Sequence, residues 1–244
     1  MLSAMEASFV AGVFARGGSK GLPNKNLKSI AGRSLMERAV STAKSLDFIS
    51  NVYCSTDSEA IALEARRSGA IVPWYRPGVL AQDTSREWDS WVHFVSWLHS
   101  EGISPDYLMT VPLTAPLRTR EDLMVCAAYA DKTRADVVFG VYESSKNPWF
   151  TMVTRDEESG EVELVNQPPE RINNRQQAPK CYDVAPNTFI ISCQFLLRAQ
   201  SIYDGDTRGV LLPRENCIDI DSEFDFKIAE LLLLEKEKRT QTKF

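Results

Sequence analysis

The chain predicts an α/β fold, a mostly parallel, Rossmann-like sheet flanked by helices. Three observations carry that prediction. The first apolar run, FVAGVF at Phe9–Phe14, is bounded by charge and too short for a helix, so it reads as one buried strand. It runs into a basic, glycine-rich stretch, ARGGSKGLPNKN at 15–26, and in open α/β sheets the loop at the carboxyl end of a strand is where ligands sit. From residue 51 onward, strand-like and helix-like segments alternate, the pattern of parallel βαβ units. With 244 residues the chain fits one α/β domain spanning 1–244.

The elements follow in order. Residues 34–46 read as an amphipathic helix, with Leu35, Ala39, Ala43 and Leu46 on one face and Ser34 as N-cap. Residues 51–55 form a strand, 57–68 a helix closed by Gly69, and 70–74 a third strand. After the loop opened by Arg76-Pro77-Gly78, residues 85–100 carry Trp88, Trp91, Val95 and Leu98 at helical spacing. The two histidines, His93 and His99, fall on this helix without a carboxylate or cysteine partner nearby, so they read as packing or surface residues. Residues 106–111 are the next strand, and two prolines make 112–120 a loop. A helix to Thr133 and a strand at 136–142 come next.

From Glu143 to Asp183 there is no long helix. Segments 150–154 and 162–165 flank the turn Glu157-Glu158-Ser159-Gly160, which suggests a hairpin with a polar tip. Strands at 188–192, 209–212 and 217–220 and a short helix at 194–200 lead to a final helix at 223–235. Ser222 is its expected cap, and Phe224, Ile228, Leu231 and Leu232 are its expected core face. Residues 236–244 read as a fraying, charged tail.

A net charge of −5 argues against a general nucleic-acid binder, so any anion site must be local. Five cysteines, Cys54, Cys126, Cys181, Cys193 and Cys217, show no C-x-x-C spacing, which indicates neither a disulfide framework nor a zinc site and suits a reducing cytoplasm. No basic leader or membrane-length apolar run is expected either, since the first apolar run stops before Arg16.

In the glycine-rich stretch, Gly17, Gly18 and Gly21 permit positive φ and close backbone approach, which turns successive N–H groups toward an anion. Arg16, Lys20 and Lys25 add cations. A Walker loop is excluded because Gly18 stands where its lysine belongs, and the glycines do not fit G-x-G-x-x-G. A polyphosphate cradle and a solvated basic turn both remain open at this point. In Ile218-Asp219-Ile220-Asp221, residues two apart on a strand share a face, so Asp219 and Asp221 would project together. Two such carboxylates suit magnesium held with phosphates and water, or a strand end with one aspartate capping the next helix.

The string A-R-G-G-S-K-G-L-P-N-K-N-L resembles the signature of the CMP-sialic acid synthetases, the acylneuraminate cytidylyltransferases, and of enzymes that activate other 2-keto-3-deoxy sugar acids. The resemblance continues in order through Ser55-Thr56-Asp57, Arg76-Pro77, Thr114-Ala115-Pro116-Leu117-Arg118-Thr119, Arg175-Gln176 and Ile218-Asp219-Ile220-Asp221. It implies a fold of the nucleotide-diphospho-sugar transferase type, with residues 143–187 as an inserted β-rich dimerisation arm that also reaches the sugar site, and hence a homodimer. It implies CMP transfer from CTP to the anomeric hydroxyl of a sugar acid, with Mg2+ on Asp219 and Asp221. Arg16, Gly17, Gly18, Ser19, Lys20 and Lys25 would hold the phosphates, with Arg16 and Lys20 acting in the transfer itself. Asn26 and Arg76 would read the cytosine, and Arg175, Gln176 and Tyr182 would meet the sugar acid, with simple packing left open for Tyr182. Arg118 is a further candidate for shaping the site.

The sugar half departs from the family pattern. Pro112 stands where the sialic acid enzymes have a sugar-reading glutamine, and Ala185-Pro186-Asn187-Thr188-Phe189 stands for Asn-Gly-Ala-Ile-Tyr. A different nonulosonic or 2-keto-3-deoxy acid is therefore compatible with the chain. A nucleotidyltransferase acting on a sugar phosphate and a non-catalytic CTP-binding protein are the competing readings.

Overall fold

Six strands form the central sheet, and the first shows why these residues make it. In the computed structural model, which describes residues 5–18, 22, 25–168, 170 and 172–241, strand β1 (Phe9–Phe14) turns Phe9, Ala11 and Val13 to one core and Val10 to another, with Phe14 packed against the second. Both faces are covered, so its pattern is continuously apolar. A two-residue hairpin follows: β2 (Ser29–Ile30) and β3 (Arg33–Ser34) turn through Ala31 and Gly32, both at positive φ. Helix α1 (Leu35–Lys44) is capped by Ser34, whose Oγ accepts from Glu37 N–H at 3.0 Å, as its sequence predicts.

Strand β4 (Val52–Ser55), helix α2 (Glu59–Arg67), helix α3 (Glu87–Ser100) and strand β5 (Tyr107–Thr110) come next. Helix α4 (Arg120–Thr133) opens with a reciprocal cap between Thr119 and Asp122. Strand β6 (Val137–Glu143), the separate hairpin β7 (Val153–Arg155) and β8 (Val162–Leu164), strand β9 (Tyr182–Ser192), helix α5 (Cys193–Leu196), strand β10 (Thr207–Leu211) and helix α6 (Glu223–Gln241) complete the chain.

Across the sheet the order is β10-β6-β9-β5-β1-β4. Only β9 runs against its neighbours, so five of the six strands share one direction. Side chains of α1, α2, α4 and α6 fill the core on one face, and α3 with α5 fills the other, where Phe14, Trp91 and Phe94 make edge contacts. The result is a three-layer α/β architecture, as expected.

Four local expectations are corrected. Residues 70–74 make only isolated bridges, Ile71 with Tyr53 and Tyr75 with Thr56, because Pro73 between them has no N–H to continue a ladder. Residues 217–220 are not a strand: Ile220 N–H donates to Thr114 O at 2.9 Å, a loop contact, and no ladder forms. Strand β9 starts at Tyr182 rather than 188, with Pro186 inside it, and the register against β6 shifts between Phe139 and Val141. A bulge of this kind accommodates a proline in an interior strand.

The last helix differs in both face and length. Phe226, Ala229 and Leu233 are its buried residues, whereas Phe224 and Leu231 are 72% and 59% exposed. It also runs on to Gln241, and Lys236 Nζ donates to Asn216 Oδ1 at 2.6 Å, which anchors the turn expected to fray.

Candidate active site

β1 lies between β4 and β5, and all three run the same way. The chain leaves β1 for β4 on one side and returns to β5 on the other, which opens a crevice beyond their carboxyl ends. Gly17 N–H donates to Asp57 Oδ1 at 2.9 Å, joining the turn after β1 to the turn after β4. A Cβ on Gly17 would stand 3.2 Å from Ser58 Cβ, whereas Gly18 has open space around it. Neither takes positive φ, contrary to the expectation from sequence; their use is close approach on one side and access on the other. Ser19, Lys20 and Gly21, three of the expected cradle residues, lie outside the described residues.

Arg16 reaches toward the loop after Arg76, where its Nη1 donates to Gln82 O at 2.9 Å and pairs with Asp83 at 2.9 Å. Asn26 Nδ2 donates to Arg16 O at 3.0 Å, so its amide ties the turn to itself. Lys25 spans the gap to the carboxyl end of the chain. Its Nζ, on a side chain only 13% exposed, donates to Ile220 O at 2.6 Å and sits 3.3 Å from Asp221 Oδ1. Arg16, Asn26, Lys25 and the Asp219–Asp221 segment are thereby linked in one continuous set of contacts.

Asp219 is an exposed residue, yet partial desolvation of its carboxyl pushes it above the usual carboxylate range. The Thr114 hydroxyl opposes that rise, and the neighbouring charge of Asp221 adds to it. Helix capping does not occupy either carboxylate. Ser222 takes that role, its Oγ donating to Asp225 Oδ2 at 2.6 Å and accepting from Asp225 N–H at 3.3 Å. Among the described residues no group of three His, Cys, Asp or Glu side chains is placed to hold a metal. A cation here would rest on two carboxylates plus phosphate and water oxygens, a donor set that fits magnesium.

Arg76 is buried behind β4. Its Nε donates to Ser55 Oγ at 3.1 Å, its Nη2 donates to Ser55 O, and burial lowers its pKa against the opposing pull of Asp57. With Arg16, Phe14, Leu80, Ser85 and Glu87 it lines a cavity of about 250 Å³. Arg118 is fully buried: its Nη1 donates to Pro112 O and Asn187 O at 2.9 and 2.8 Å, and burial drops its pKa to about 10. It braces the loop that carries Thr114 and has no route to a ligand.

The expected sugar residues lie apart from this cluster. Arg175 and Gln176 line a cavity of about 420 Å³ with Lys146, Lys180 and Cys181, and Arg175 Nη2 donates to Ser144 O at 2.7 Å. Arg175 also borders a second cavity, of about 390 Å³, with Tyr142 and Arg214. Tyr142 lines that second cavity, and burial raises its pKa, with the charges of Asp183 and, less strongly, Asp219 adding to the rise. Tyr182 lines neither cavity and stands half-exposed opposite Glu143. Sequence reasoning missed Thr114 and Asp57 as supporting residues, although both lie inside motifs it singled out. It also missed Tyr142, for which the sequence carries no signal.

The sheet order and the link from the basic turn to the Asp219–Asp221 segment suit a nucleotidyltransferase of the Rossmann-like α/β class. A family model for cytidylyltransferases matches residues 10–94. The chain is 32% identical over 234 residues to post-translational flagellin modification protein B of Campylobacter coli, covering 95% of this chain and 96% of that one. It is 28% identical to CMP-N,N'-diacetyllegionaminic acid synthase of Campylobacter jejuni, covering 93% and 95%. The solved structure of CMP:2-keto-3-deoxy-manno-octonic acid synthetase complexed with CTP superposes with a TM-score of 0.69 over 94% of this chain and all of that one. At 15% identity this is a likeness of fold. The chain belongs to the CMP-sialic acid synthetase family of cytidylyltransferases.

Proposed function

We propose that this cytidylyltransferase moves CMP from CTP to the anomeric hydroxyl of a nonulosonic acid of the legionaminic or sialic type, or a related 2-keto-3-deoxy acid, with release of pyrophosphate. The observation that carries the reading is the Lys25 link, which holds the basic turn after β1 against the Asp219–Asp221 segment. Two of the relatives in which nearly the whole chain is matched are named for N,N'-diacetyllegionaminic acid, which favours a nonulosonic substrate over a sugar phosphate.

In this reading Arg16, Lys20, Lys25 and the backbone N–H groups of Gly17, Gly18 and Ser19 orient the triphosphate. Asn26 supports the turn, and Arg76 bounds the base. Asp219 and Asp221 would hold Mg2+, which when bound offsets the charge of the triphosphate and of the departing pyrophosphate. The upward shift of the Asp219 carboxyl, from desolvation and the nearby charge of Asp221, supports this assignment, since a bound cation would relieve it. Arg175, with Lys146 and Lys180 beside it, presents cations to the sugar-acid carboxylate, and Gln176 offers an amide to its substituents. The sugar hydroxyl oxygen bonds to the α-phosphorus as the bridging bond to the β-phosphate breaks. Positioning and charge neutralisation supply most of the acceleration.

Residues 143–187 form the dimerisation arm of a homodimer in this account. Met152, Val153, Val162 and Val165, on and beside the β7–β8 hairpin, are exposed apolar side chains that a partner would cover. Five free thiols suit the cytoplasm, and among the described residues no helix is long and apolar enough to cross a membrane.

The test is pyrophosphate release from CTP with magnesium against a panel of 2-keto-3-deoxy sugar acids. At least one nonulosonic acid should be turned over, and Asp219→Ala should abolish that turnover while the circular dichroism spectrum is kept. Full activity in Asp219→Ala would refute the metal role, and release only with phosphorylated sugars would refute the substrate class.

A further inference from the structure

The cavity between Arg16 and Arg76 contains a group that the reaction above does not use. Its walls are apolar at Phe14 and Leu80 and polar at Arg16, Arg76, Ser85, Ser90 and Glu87, and its volume of about 250 Å³ suits a single pyrimidine ring rather than a nine-carbon sugar acid. Apolar faces with a polar edge are what a flat heteroaromatic ring requires.

Glu87 opens α3, and its side chain is exposed where it lines the cavity. Arg76 lines the same cavity, so the two groups share this small space, and the charge of Arg76 opposes the rise that burial gives the Glu87 carboxyl. Trp91 stands one turn further along α3 on the same helix face, and its indole N–H is buried without a hydrogen-bond partner. An acceptor and the guanidinium donor of Arg76 thus line one cavity, which Arg16 of the basic turn also borders.

That donor and acceptor order matches one pyrimidine. Cytosine presents an amino group at position 4 beside acceptors at N3 and O2; uracil presents an acceptor at position 4 and a donor at N3. A carboxylate accepts from the cytosine amino group and repels the uracil O4, whereas a guanidinium satisfies N3 or O2 of cytosine. We propose that Glu87 is the residue that selects cytosine over uracil, with Arg76 serving the adjacent acceptors. The selection works by negative discrimination as well as attraction, since an unpaired carboxylate beside O4 is costly.

The inference rests on the nucleotide reading of the site, and its test does not need the sugar to be known. Calorimetric titration of the full chain with CTP and with UTP, in magnesium, measures the preference directly. The wild type should prefer CTP by at least 10-fold. Glu87→Gln, whose amide can present either oxygen or N–H, should shrink that ratio several-fold, chiefly by strengthening UTP binding. Glu87→Ala should weaken CTP by roughly 10-fold, the scale of one lost charge-assisted contact. Unchanged CTP-to-UTP ratios in both variants overturn the role of Glu87 while the nucleotide site stands. Failure of the wild type itself to bind CTP overturns the nucleotide reading on which the proposal rests.

Discussion

Replacing Lys25 by Met removes the contact that joins the two ends of the chain at the site. The Lys25 side chain is 13% exposed, and its Nζ donates to Ile220 O at 2.6 Å and pairs with Asp221 at 3.3 Å. Loss of a partly buried, charge-assisted hydrogen bond costs about 1.5–3 kcal/mol, and the pair with an exposed Asp221 adds no more than about 1 kcal/mol. For a chain of this size each kcal/mol lowers Tm by roughly 2–4 °C, so a drop of about 3–16 °C is expected. Release of the Asp219–Asp221 segment by about 1 Å should lower turnover on the order of 100-fold. Asp221→Asn is the control for the melt alone, because it keeps the Ile220 bond and should cost less than about 1 kcal/mol. Differential scanning calorimetry and the pyrophosphate assay read both effects. A Lys25→Met protein that melts and turns over like the wild type would refute the reasoning.

Other consequences can be read separately. Asp219 has a raised pKa, so the folded state binds its proton more tightly than the unfolded chain, and the stability this gives is present below about 3.8 and lost as pH rises through the folded value. Asp219→Asn should therefore raise Tm at pH 7 while abolishing turnover, and the Tm gain should vanish in melts near pH 3. A Cβ on Gly140 would lie 2.4 Å from Leu212 Cδ1 and 3.2 Å from Ala185 Cβ, so Gly140→Ala should destabilise by about 1–3 kcal/mol in urea titrations. If the proposed homodimer forms through this hairpin, Val153→Asp with Val162→Asp should leave only a 27.4 kDa monomer in gel filtration and keep the melt of the sheet in place. A wild type that is monomeric at all concentrations would contradict the proposed arm.

The parts of the fold that sequence made legible are those decided locally. Phe9–Phe14 alternates between two cores, and Ser34 and Ser222 have the side chains their caps need, so strand and helix starts could be read directly. The misread parts were decided at long range. Tyr182 to Asn187 join β9 because that strand bulges over residues 185–188 opposite Gly140 and regains its pairing with β6 at Val184, and nothing near Pro186 signals a strand. The face of α6 was misjudged because apolar residues lie nearly all around it. Packing against the sheet selects Phe226, Ala229 and Leu233. At the site, the residue types in the motifs identified a basic turn and a carboxylate pair. The fact that Asp219 leans on Thr114 while Asp221 leans on Lys25 depends on how three loops meet, and no spacing in the chain encodes it.

Central to the account is that the turn after β1 and the Asp219–Asp221 segment grip a single triphosphate. A crystal structure of the full chain with CTP and magnesium measures this directly. It should show the phosphates between the backbone of Gly17 and Gly18 and the metal on Asp219 and Asp221, with the cytosine between Arg76 and Glu87. A triphosphate bound elsewhere, with Asp219 more than one water away from any phosphate oxygen or metal, would contradict it.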